Sequence, residues 1–115
     1  MSTSLSLAAR AAKLSYVPGV TIADACDRFD VSRSKVLAAR KDPATKPTLA
    51  ELALAALTAN GTLASGSTDD FAELASWIDY VNHDGCTADE ARALVASRPE
   101  IAIDGATWTL VAAWP

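Results

Sequence analysis

Alanine supplies 25 of the 58 apolar residues, and no other feature narrows the possible folds as much. An alanine methyl buries little area, but it lets two backbones approach closely. A core of 25 alanines and 33 larger apolar residues therefore calls for tightly packed helices. Alanine is also the strongest helix former, so a mainly α chain is expected before any pattern is read. The 115 residues suffice for one small domain or two very small ones. No window approaches the ~20 apolar residues of a membrane span, so no membrane partner is expected. The start MSTSLSLAARAAK lacks the basic-then-apolar order of a secretory signal. A cytoplasmic location follows as an expectation, with Cys26 and Cys86 as reduced thiols.

Helix starts can be read from capping chemistry. A side-chain oxygen satisfies orphan N–H groups, and an acid three residues on suits the positive end of the helix dipole. Thr21 with Asp24, Thr48 with Glu51, Asp70 with Glu73 and Thr87 with Glu90 are four such starts. Ser32 is a plainer cap. A further helix is expected over residues 4–15, stopping before Pro18-Gly19. Leu7, Ala11 and Leu14 share one face of it. Leu49, Leu52, Ala53, Ala56 and Leu57 form a core stripe, as do Phe71, Leu74, Ala75 and Ile78. Asn60-Gly61 reads as a left-handed helix end. Helices are thus expected over 49–59, 71–82 and 87–97.

The period changes near the C-terminus. Ile101 to Leu110 alternates around Asp104-Gly105, the strongest short-range hairpin signal. A two-residue Asp-Gly loop sets Ile101 opposite Trp108 and Ile103 opposite Ala106. Ile101, Ile103, Trp108 and Leu110 then face inward, and Ala102, Thr107 and Thr109 outward. The stretch from Leu14 to Ala25 also weakly echoes that from Ile78 to Ala91, a match that chance in an Ala-rich chain explains equally well.

The net charge of −4 hides an asymmetry. Residues 1–50 hold eight Lys/Arg and four Asp, and residues 51–115 two Arg and ten Asp/Glu. A basic half binds a polyanion if its cations share a face, because phosphate contacts release counterions. Alternatively the halves neutralise each other, within one chain or across a dimer. The expected organisation is a helical domain over 1–60, a linker over 61–69 (the Gly- and Ser-bearing GTLASGSTD) and an acidic unit over 70–115.

The segment Thr21 to Lys41, TIADACDRFDVSRSKVLAARK, resembles the helix-turn-helix superfamily of DNA-binding proteins. Ala25 and Cys26 stand where two helices cross closely, Phe29 and Val31 flank a tight turn, and Val36 and Ala39 form the second helix's inner face. Asp30 takes a turn position that is most often Gly in this superfamily. Leu37 and Ala38 lie outward where base-reading members usually carry polar groups. The resemblance implies that the helix from Ser32 to Lys41 enters the major groove of double-stranded DNA. Arg33 would then meet a guanine edge. Ser32, Ser34 and Lys35 would touch phosphates or bases, and Arg40, Lys41 and Lys46 the backbone. A homodimer is implied because one short helix supplies few contacts.

Residues 70–115, two helices and a Trp-bearing hairpin, resemble a cut-down winged-helix unit, with the helix at 49–59 as the possible third. The expected fold class is therefore mainly α: a helix-turn-helix bundle with a C-terminal β-hairpin, winged-helix-like. Ten acids repel DNA, so this half is assigned to dimerisation or to a protein partner. Trp77 and Trp108 are expected in the core and Trp114 at an interface. His83 suits a helix C-terminal turn. With one His, two Cys of no zinc spacing and no phosphate-binding Gly pattern, neither an enzyme nor a cofactor or metal site is expected. Small DNA-binding transcriptional regulator is the leading reading. The alternative is an adaptor or anti-regulator that keeps the helix-turn-helix fold without binding DNA.

Overall fold

A computed structural model describes residues 6–115 of the chain. Among the described residues it has six α-helices, one short 3-10 turn and a three-stranded antiparallel sheet. It divides into two compact units. One runs to Pro47 and includes Pro115, and the other is Thr48–Trp114. The division follows the charge change, but it lies before the 49–59 helix rather than after it. A boundary drawn at 60 cuts a helix from the partners it packs on.

In the first unit, α1 (Leu7–Ser15) is capped by Ser6, whose hydroxyl accepts from the Ala9 N–H at 3.1 Å. Its expected start at residue 4 lies outside the described residues. Ala11, Ala12 and Leu14 are buried, whereas Leu7 is 52% exposed and not part of the core stripe. α1 packs against both α2 (Ile22–Phe29) and α3 (Arg33–Ala39). The Thr21–Asp24 box forms reciprocally, both bonds at 3.0 Å. Those bonds hold the exposed Asp24 carboxyl below the usual aspartate range. Ala25 is fully buried at the crossing, as its size predicts.

The second unit begins with α4 (Leu49–Leu57), again boxed, by Thr48 and Glu51. Here the expected stripe is rotated: Glu51, Ala53, Leu54, Ala55 and Leu57 are buried, and Leu49, Leu52 and Ala56 only partly. The helix is covered on most sides because α5 (Asp70–Asn82) and α6 (Ala88–Ala96) both pack on it. Buried Thr58 closes it by donating to the Leu54 carbonyl at 2.7 Å. Three consecutive left-handed residues follow, Ala59, Asn60 and Gly61, with φ of 48, 61 and 87°.

The stretch 61–69 is not a linker. Ser65–Ser67 form β1, which pairs antiparallel with β3 (Thr107–Leu110), and β3 pairs in turn with β2 (Ile101–Asp104). The sheet order is β1-β3-β2. Gly66 lies opposite Trp108 in this ladder, and a Cβ there would stand 2.6 Å from Trp108 Nε1 and 2.7 Å from Cε2. Glycine is required because the indole lies on its backbone. The indole N–H donates to Asp70 Oδ2 at 2.9 Å, and the same oxygen accepts from the Ser67 N–H at 3.2 Å. Asp70 therefore ties sheet to helix instead of capping α5, which has no side-chain cap.

The hairpin register also differs from expectation. Ile101 pairs with Leu110 and Ile103 with Trp108, so the loop is Gly105-Ala106 rather than Asp104-Gly105. Gly105 has φ +59° and Ala106 does not share the left-handed conformation, the pattern of a turn with Gly at its first central position. The shift is two residues, so every side chain keeps its face. Ile101 and Trp108 are buried and Thr107 and Thr109 exposed. Trp114 is buried, contrary to its expected interface position, and Trp77 is only half-buried.

Candidate nucleic-acid interface

The expected turn between α2 and α3 is present. Asp30 caps α2 in the left-handed conformation, φ 52° and ψ 51°, with the Val31 N–H donating to the Cys26 carbonyl at 3.1 Å. Aspartate reaches this region more readily than most residues, which explains why glycine is dispensable here. Ser32 then caps α3 through a long contact of 3.4 Å to the Lys35 N–H. Val36 is fully buried beneath it, and Ala39 partly so.

α3 is shorter than the expected 32–41, because the chain tightens beyond Ala39. The Lys41 and Asp42 N–H groups donate three residues back, to Ala38 and Ala39. Asp42 precedes Pro43, which disfavours a helical conformation at Asp42. Asp42 instead caps the 3-10 turn Pro43–Thr45. Buried Thr45 fastens this turn, donating to the Asp42 carbonyl at 2.8 Å.

Ser32, Arg33, Ser34, Lys35, Lys41 and Lys46 are all exposed. The Ser32 and Ser34 hydroxyls lie 3.3 Å apart. Among the described residues the side chains of Arg33, Lys35, Lys41 and Lys46 make no ion pair or hydrogen bond. Arg40 is placed differently: it is half-buried, its guanidinium 4.3 Å from the centre of the Tyr16 ring. The Tyr16 hydroxyl donates to the Arg40 carbonyl at 3.3 Å, so Tyr16 holds the end of α3 twice. Arg40 therefore packs on Tyr16 instead of projecting freely from the end of α3.

Three residues of this region went unread in the sequence. Tyr16 anchors Arg40 from 24 positions away, which no local spacing signals. Arg10 and Arg28 lie over the Phe29 ring, at 5.0 and 5.6 Å from its centre. Partial burial, and then the charge of Arg10, pull the Arg28 pKa down. Phe29 was legible as a turn-flanking apolar residue, but not as a seat for two guanidinium groups.

The second unit carries ten acidic residues against two arginines. Asp89 and Glu90 open α6, where Thr87 and Glu90 form a third complete capping box. Arg98 pairs with Glu100 at 2.8 Å, and that hydrogen bond raises the Arg98 pKa. His83 caps α5 in a left-handed conformation, φ 57°. The Cys86 thiol is pushed up by burial and then by the charges of Glu90 and Asp79. Among the described residues no group of three His, Cys, Asp or Glu side chains is placed to hold a metal. No described helix is long and apolar enough to cross a membrane. The chain matches no protein-family model, no curated protein and no solved structure.

Proposed function

We propose that this protein binds double-stranded DNA through α3 and acts as a small transcriptional regulator. One observation carries the reading: a short helix follows a left-handed turn, rests on two others, and turns Ser32, Arg33, Ser34 and Lys35 outward with both cations unpaired among the described residues. That is the arrangement needed for an Arg fork to reach a base edge while neighbouring groups hold phosphates. Exposed Lys41 and Lys46, beyond the end of α3, add positive charge to the same unit.

The second unit runs α4-β1-α5-α6-β2-β3 with sheet order β1-β3-β2. Three helices and a three-stranded sheet in that order support the winged-helix resemblance. The acidic α6 argues against DNA contact there and favours a protein partner or a second copy. A competing reading, an adaptor that keeps the fold without binding DNA, draws on Leu37, 41% exposed at the centre of the outer α3 face.

Fluorescence anisotropy with random-sequence duplex DNA at low salt tests the proposal. Binding is expected to weaken as salt rises, and Arg33→Glu with Lys35→Glu to abolish most of it. Absence of salt-dependent binding at micromolar protein leaves the adaptor reading, in which the same reversals cost a protein partner instead.

A further inference from the structure

A groove of about 360 Å³ opens on the acidic unit. Its floor is buried Leu57 and Leu74, and its walls are Leu63 and half-buried Trp77. Asp70 and Glu73 also line it. Leu63 is 49% exposed and is held by its N–H donating to the Thr58 carbonyl at 2.8 Å, across the left-handed turn at Ala59-Asn60-Gly61. An alanine in that conformation is costly, and the turn it helps to build presents a leucine to solvent. Asp70 is already engaged with Trp108 and Ser67. Glu73 is exposed and makes no hydrogen bond or ion pair among the described residues. The groove therefore suits an apolar side chain flanked by a cation.

The chain itself carries that chemistry. On α3, Leu37 is exposed and Arg33 precedes it by one helical turn on the same face, with exposed Lys41 just past the helix end. The unit bearing it has eight Lys/Arg against four acids, and the unit bearing the groove ten acids against two Arg. We propose that the groove binds the α3 face of a second copy of this chain, Leu37 entering between Leu63 and Trp77 and Arg33 meeting Glu73. This deepens the partner-contact part of the reading above and rests on that part alone; it occupies the α3 face that the DNA reading uses, so assembly and duplex DNA compete for Arg33 and its neighbours. Reciprocal exchange closes a two-fold dimer, and one-way contact builds a longer assembly.

Sedimentation velocity of the full chain over a wide concentration range is the test. The mass is expected to rise with concentration and to fall back as salt is added. Glu73→Lys and, separately, Leu37→Asp should each weaken association roughly tenfold or more, with unchanged circular dichroism. Mixing Arg33→Glu chains with Glu73→Lys chains should restore the assembly that neither forms alone, because the reversed charges then meet each other. A chain that stays monomeric throughout, or one whose association ignores both Glu73→Lys and Leu37→Asp, overturns the proposal. Duplex anisotropy is a separate readout: DNA binding by a chain that is monomeric at every concentration sinks only the self-association, and association with no DNA binding even where the chain is diluted to monomer sinks only the regulator reading.

Discussion

Gly66 has no room for a side chain. The Trp108 indole covers it, and its N–H reaches Asp70 just beyond. Gly66→Ala must displace the indole or bend β1, an overpacking that costs about 1–3 kcal/mol. Urea unfolding should show the lowered midpoint. Asp24 shows a gentler dependence. Its carboxyl is held below the ordinary aspartate range by the Thr21 bonds, so the folded form has the lower pKa. The associated stability is complete above the unfolded-state value and fades as pH falls through the depressed one. Thermal melts of wild type and Asp24→Asn should therefore differ near neutrality and converge in acid.

At the scale of elements, capping chemistry and turns carry the local decisions. Thr48, Thr21 and Thr87 each close a reciprocal box, which satisfies two orphan N–H groups at a helix start. Thr48→Ala should cost about 1 kcal/mol, read from the urea midpoint. The α2–α3 turn depends on Asp30 at positive φ. Asp30→Val should destabilise by about 1–2 kcal/mol, because a branched side chain resists that conformation, while Asp30→Gly should be close to neutral. These starts and turns were legible because partner and signal lie within a few residues of each other. The extent of α3 was not: it ends at Ala39 where Pro43 and buried Thr45 turn the chain away.

For the whole molecule, charge segregation is the property with a functional consequence. A net charge of −4 would ordinarily repel DNA, so the proposed binding must come from the local field of the basic unit. Its salt dependence is then the informative quantity. Lys35→Ala should reduce the slope of log K against log salt by about 1, as expected of a cation on a phosphate, whereas Arg33→Ala should mainly relax the preference for one base. A titration series at several salt concentrations measures it. The exposure of Ser32, Arg33, Ser34 and Lys35 followed from spacing relative to buried Val36, whereas the half-burial of Arg40 depends on Tyr16.

Read alone, the residues determined the helical class, the capped starts of α2, α3, α4 and α6, the left-handed break at Asp30 and which hairpin side chains face inward. Each of these is settled by interactions over three or four positions, or by a two-residue alternation. Only the tertiary structure decided that Ser65–Ser67 is a strand, that the hairpin turns at Gly105-Ala106, and that Asp70 binds Trp108 across 38 positions. A three-residue strand has no periodicity to detect, and a register shift of two leaves the inward pattern unchanged. The strand is held by the indole of Trp108 closing over a glycine that lies far from it in the chain, and the hairpin turns where Gly105 takes positive φ.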